Sequence, residues 1–125
     1  MKNLTVGKDA PEIVNVFIEI PEGSRVKYEL DKDSNTIFVD RFLYFDRGYP
    51  ANYGFIPNTL SGDGDPVDVL VLSPLPLAPG VVIPAKPIGM LETEDESGQD
   101  AKVIAVPTEK ANPEFGKYND ISELP

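Results

Sequence analysis

Residues 61–72 read SGDGDPVDVLVL and place three aspartates, Asp63, Asp65 and Asp68, in a glycine-rich turn that runs into an apolar strand. Carboxylates this close repel one another. The bland reading is an Asp/Gly/Pro turn feeding a strand, since each of those residue types favours turns. Asp68 resists that reading because it shares strand parity with Leu70 and Leu72, where a solvated charge is out of place. A second acidic group, Asp95, Glu96 and Asp100 in TEDESGQDAK, again precedes a strand, while Glu96 alone reads as a solvated neighbour. Lys27, Glu29 and Lys102 are charged residues within otherwise apolar strands. Carboxylates gathered in this way are tolerable when hard divalent cations lie between them, and Mg²⁺ prefers oxygen ligands and water. The interspersed Lys and Arg side chains then suit an anionic substrate, phosphate above all.

Several other chemistries are excluded by composition. The chain has neither Cys nor His, which removes thiolate nucleophiles, zinc–thiolate sites, Ser-His-Asp hydrolysis and HExxH metalloproteases. An EF-hand loop counted from Asp63 fails, because Asp68 stands where glycine is required and Pro74 where glutamate is. DKDSNT (31–36) fails in the same way and reads as a solvated hairpin turn. No phosphate-binding glycine loop of the Walker type is present. Twenty-one acidic against 11 basic residues give a formal charge of −10, so non-specific nucleic-acid binding is not expected. MKNLTVGKDAPE lacks the apolar stretch of a signal peptide, and the uncharged run Val69 to Ala85 contains Pro74, Pro76, Pro79 and Pro84. That run cannot form a membrane helix. A soluble cytoplasmic protein without nucleic-acid or membrane partners is the expectation.

The elements that must position these residues are strands. IVNVFIEI (13–20), VKYEL (26–30), TIFVDRFLYF (36–45), PVDVLVL (66–72), VVIPAKPIGML (81–91) and KVIAVP (102–107) carry β-branched or alternating patterns. Val26, Tyr28 and Leu30 alternate with Lys27 and Glu29. Arg41 shares parity with Ile37, Val39 and Leu43, so by pattern alone it could form a salt bridge at a barrel mouth. Tyr49 and Tyr53 could be core aromatics with satisfied hydroxyls. Gly, Pro and Asp turns at close spacing predict an antiparallel barrel or sandwich in one domain, 1–125. Helix is expected only near the end: one turn in ANPEFGKY (111–118) and a start at DISELP (120–125), with Ser122 as N-cap.

Taken together, DGDPVDVLV, IEIPEGSRVKYELDK (18–32), FVDRF (38–42), YPANYGFIP (49–57), residues 79–107 and DISELP resemble soluble family I inorganic pyrophosphatases of the bacterial type. The likeness runs from about residue 11 to the last residue. It implies a mainly β fold, a five-stranded OB-like closed barrel with little helix, and Mg²⁺-dependent hydrolysis of pyrophosphate to two phosphates. By that resemblance Asp65 is the general base. Asp63, Asp68 and Asp100 ligate the metals that hold the attacking water, Asp68 bridging them. Asp95 binds a further, substrate-borne metal, with Glu29 and Glu19 in the same acidic shell. Lys27, Arg41 and Lys102 contact phosphate oxygens, Tyr53 hydrogen-bonds at the phosphate or the base, and Tyr49 lines the site. The resemblance also implies a homo-oligomer, a hexamer in the bacterial relatives. The family continues past DISELP into a helix carrying a tyrosine–lysine pair that reaches the phosphates. On that implication this 125-residue chain is expected to turn over weakly. The rival expectation is a truncated acidic β-barrel that binds divalent cations without significant turnover.

Overall fold

A computed structural model describes residues 4–44, 48–58, 66–95 and 98–125, the side chains of 93–95, 98 and 99 excepted. Its strands are β1 (Val14–Ile20), β2 (Val26–Asp31), β3 (Thr36–Phe42), β4 (Asn52–Ile56), β5 (Val67–Val71), β6 (Val82–Asp95) and β7 (Gly98–Pro107). Five of them close into a barrel in the order β1-β4-β5-β7-β6, and β2 and β3 form a separate hairpin. All pairings are antiparallel except β5 with β7, which run parallel. The expected mainly β, five-stranded closed barrel is what forms. β4 is an addition to the strands read from sequence, and β6 and β7 are longer than their patterns suggested.

Period-two alternation divides each barrel strand between an inner and an outer face. Val14, Val16, Ile18, Ile56, Val69, Val71, Ala85 and Ala105 fill the interior. The outer face carries two apolar pads. Phe17, Leu30 and Phe55 pack under the β2–β3 hairpin, with the Phe17 and Phe55 rings 5.3 Å apart. Ile88, Ile104 and Val106 form the other pad with Leu70 and Leu72, covered by Phe115, Tyr118 and Leu124. Asp68 therefore shares its face with Leu70, as its parity predicts, and that face is the outside of the barrel.

The covering segment holds one short helix, α1 (Pro113–Gly116), capped by Asn112, whose side chain accepts from the Phe115 amide at 2.8 Å. The following helix is a single 3-10 turn, Ile121–Glu123, and its N-cap is Asp120 rather than Ser122. The Asp120 carboxylate accepts from both the amide (3.0 Å) and the hydroxyl (2.6 Å) of Ser122. A carboxylate two residues upstream outcompetes the serine for the cap.

Asn52 ties the barrel to its loops. It is fully buried, and its side-chain oxygen accepts from the amides of Glu22 (3.0 Å) and Leu77 (2.9 Å). Its nitrogen donates to the Val71 carbonyl (3.0 Å) and the Ser73 hydroxyl (2.8 Å). Next along, Gly54 lies so close to β1 that any Cβ would strike the Phe17 carbonyl oxygen. Removing the Asn52 amide strands several buried polar groups at once. Asn52→Ala is expected to cost about 2–4 kcal/mol of unfolding free energy, measured by urea denaturation; a loss below about 0.5 kcal/mol would contradict the network.

Candidate active site

Between the two pads the outer wall turns polar. Two β-bulges shape this region, and bulges commonly re-aim side chains beside active sites. The register of β1 against β4 shifts between Ile18 and Ile20, leaving Glu19 as the extra residue between two buried isoleucines. Its carboxylate is held by the Leu30 amide at 2.8 Å. On the hairpin, Lys27 pairs with Arg41 and Tyr28 with Val39, so Asp40 is the extra residue. This breaks the simple parity of Arg41 with Val39 that the sequence suggests. Two cations directly opposite each other would repel, and the bulged Asp40 answers both, 3.7 Å from Lys27 Nζ and 3.7 Å from Arg41 Nε.

The centre of the site lies on β4, β5 and β7. Parallel register sets Asp68 beside Lys102. The Lys102 ammonium lies 2.8 Å from Asp100 and 3.8 Å from Asp68, and 5.6 Å from the Tyr53 ring centroid. The Tyr53 hydroxyl donates to Asp68. Tyr49 leans on Tyr53 with ring centroids 5.7 Å apart. Its backbone is clamped to the turn after β1, where Gly23 N–H donates to its carbonyl (2.8 Å) and its own amide donates to Ser24 (3.0 Å). Gly48 permits that approach, since a Cβ there would strike the Gly23 carbonyl.

A cavity of about 320 Å³ opens on this wall, lined by Glu19, Lys27, Glu29, Tyr53, Asp68 and Pro66 among others. The structure thus brings Glu19, Glu29, Lys27, Tyr53 and Asp68 to one cavity, with Lys102, Asp100 and Tyr49 against its wall. Arg41 sits at the hairpin edge, largely exposed. Asp63, Asp65 and the side chain of Asp95, which ends β6, lie outside what the structure describes. Lys32 and Phe55 also line the cavity, although the sequence pattern puts Lys32 in a solvated turn.

Electrostatics follow from the crowding. Burial, then the charges of Glu29 and Asp68, raise the Glu19 pKa above the ordinary carboxylate value, against the Leu30 hydrogen bond and Lys27. Burial and the carboxylate of Asp68 push the Tyr53 hydroxyl far up, so it remains a proton donor. Burial raises Tyr49 too, with Arg41 opposing. For Lys102 burial alone disfavours the charge, but the Asp100 hydrogen bond and the charges of Asp100 and Asp68 outweigh it, and its pKa rises. Donors of this kind, carboxylate oxygens without nitrogen or sulfur, match hard dications such as Mg²⁺. Among the described residues no three carboxylates converge on one point. The donor chemistry nevertheless fits such an ion, which would relieve the mutual repulsion at Glu19.

A family model described as inorganic pyrophosphatase matches residues 16–125. The chain belongs to the inorganic pyrophosphatase family. The family's hydrolases supply its similar proteins: an inorganic pyrophosphatase of Gluconobacter oxydans is 56% identical over 125 residues, 100% of this chain and 72% of that protein. One from Aquifex pyrophilus is 58% identical over 124 residues, 99% of this chain and 70% of the relative. The crystal structure of the Thermus thermophilus inorganic pyrophosphatase superposes with a TM-score of 0.93 at 50% identity, covering 98% of this chain and 69% of that one. The OB-like barrel of the family is therefore the fold of this chain.

Glu19 yields a pH prediction for protein stripped of metal by a chelator. A carboxyl with a raised folded pKa holds its proton longer in the folded than in the unfolded chain. Stability therefore falls as pH rises through the ordinary carboxylate value towards the raised one, and the deficit is complete above it. Glu19→Gln keeps an acceptor for the Leu30 amide and removes the charge. Its melting temperature should match wild type at acid pH and exceed it at neutral pH; an advantage independent of pH would refute the assignment.

Proposed function

We propose that this pyrophosphatase-family chain hydrolyses inorganic pyrophosphate to two phosphates, with Mg²⁺ as cofactor and water as nucleophile. The observation that carries the reading is Asp68, hydrogen-bonded by Tyr53 and set beside Lys102 by parallel register, in a cavity that also contains Glu19, Glu29 and Lys27. Asp65 takes the proton of the attacking water as general base. Asp63, Asp68 and Asp100, with Asp95, Glu29 and Glu19 around them, supply the oxygen ligands for several Mg²⁺ ions. When bound, those ions neutralise charge between carboxylates and phosphates and bring the pKa of water towards ~7. Lys27, Arg41 and Lys102 contact phosphate oxygens and stabilise the charge that builds on the leaving phosphate. Tyr53 fixes Asp68 through its hydroxyl, and Tyr49 supports Tyr53. Water adds to one phosphorus, the bridging P–O bond breaks, and the second phosphate leaves with the electron pair. No covalent nucleophile is involved, consistent with a chain lacking Cys and His.

We further read residues 1–125 as one barrel domain that works in the cytoplasm as a homo-oligomer, a hexamer by family precedent. Among the described residues no helix is long and apolar enough to cross a membrane.

Phosphate release from pyrophosphate is expected with Mg²⁺, to stop with a chelator, and to return when Mg²⁺ is restored. Asp65→Asn should lower kcat by about 10²–10⁴-fold, the usual contribution of a positioned general base, without changing the melting temperature greatly. Absence of phosphate release by wild type at any Mg²⁺ concentration would leave a barrel that only binds cations. Faster release from ATP than from pyrophosphate would overturn the substrate assignment.

A further inference from the structure

The turn DKDSN joins β2 to β3, and one of its residues belongs to the cavity rather than to the turn surface. Asp31 accepts from the amide (3.2 Å) and the hydroxyl (2.6 Å) of Ser34. Asn35 follows in the left-handed region at φ 55°. These bonds also hold the Asp31 carboxyl below its ordinary pKa. The backbone on both sides of Lys32 is thus fixed, and its side chain turns back over the barrel. Its ammonium stands 5.9 Å from the centroid of the Phe55 ring, itself packed on Phe17. Both Lys32 and Phe55 line the cavity that holds Glu19, Lys27, Tyr53 and Asp68.

The cations around this cavity differ in how they are held. Lys27 is paired with Asp40, and Lys102 with Asp68 and Asp100. Lys32 has no ion pair among the described residues; an aromatic face is its partner, and it remains exposed. A ring face attracts a cation without neutralising it. The full charge of Lys32 is therefore available to an incoming anion, on a chain whose formal charge of −10 otherwise repels one.

We infer that Lys32 is a substrate-capturing residue: from the rim of the cavity it contacts the outer phosphoryl oxygens of the entering diphosphate. This rests on the proposed pyrophosphatase reading for the identity of the anion. A contact on the outer phosphoryl group exists equally in the ground state and the transition state, so it changes KM more than kcat. An exposed cation is also screened by salt, which separates it from the paired lysines deeper in the site.

Two measurements test this, one of them independent of turnover. Isothermal titration of a non-hydrolysable methylene diphosphonate in the presence of Mg²⁺ should show Lys32→Gln binding about 5–10-fold more weakly than wild type, with Lys32→Arg close to wild type, as expected for one partly screened charge contact. In steady-state phosphate release the Gln variant should raise KM by a similar factor and lower kcat by less than about twofold, and the KM difference should shrink at high ionic strength. Circular dichroism melts should coincide, since the side chain is exposed. Equal diphosphonate affinity in wild type and Lys32→Gln overturns the inference, as does a loss confined to kcat or one that arginine does not rescue. A wild-type chain that binds diphosphonate through Lys32 but releases no phosphate would refute the pyrophosphatase reading and leave the capture role standing.

Discussion

Like-charge crowding on the outside of a rigid barrel is the constraint around which the rest of this structure is arranged. Glu19, Glu29 and Asp68 face one cavity, and burial together with its neighbours drives the Glu19 pKa upwards. Such an arrangement relaxes unless something prevents the strands from moving apart. The closed interior of Val, Ile and Ala side chains prevents it: each fully buried Val or Ile contributes about 1.5–3 kcal/mol, and several are completely inaccessible. Against that sum the unfavourable placement of one half-buried carboxylate is small. The core holds these carboxylates together, and Lys102, 2.8 Å from Asp100 and 3.8 Å from Asp68, offsets part of their charge.

The two outer pads give the site its borders. Phe17, Phe55 and Leu30 seat the hairpin that carries Lys27, Glu29 and Arg41. Leu70, Ile104 and Val106 seat the segment that ends in the 3-10 turn. Polar residues lie in the strip between them because covering apolar surface on either side leaves that strip facing the cavity. Lys86 fastens the second cover by donating to the Gly116 carbonyl (2.6 Å) and to Asn119 (2.9 Å).

Much of this is legible in the sequence. The strands with β-branched alternation are readable, and the charged residues in strands point to phosphate chemistry, which the family match bears out. β4 escaped because Asn52 and Gly54 disfavour strands, and each is there for a tertiary reason: one as a buried hydrogen-bond hub, the other to let β1 approach. The phase of β3 escaped because a bulge at Asp40 moves Arg41 to face Lys27, and a single extra residue is invisible to a parity count. Ser122 looked like a cap, but Asp120 had the better carboxylate for it. The turn sequence alone puts Lys32 in solvent, because nothing in it reports the Phe55 ring from a distant strand.

The parallel pairing of β5 with β7 has a topological consequence. Strands running in the same direction keep one register along their length, and in it Asp68 meets Lys102. Each strand is preceded in sequence by an acidic stretch, one through Asp63 and Asp65 and the other through Asp95 and Glu96. Two residues some thirty positions apart in sequence, Asp68 and Lys102, are thereby set side by side by strand direction and register. A one-residue slip between β5 and β7 would turn one of the two to the barrel interior and part the ion pair.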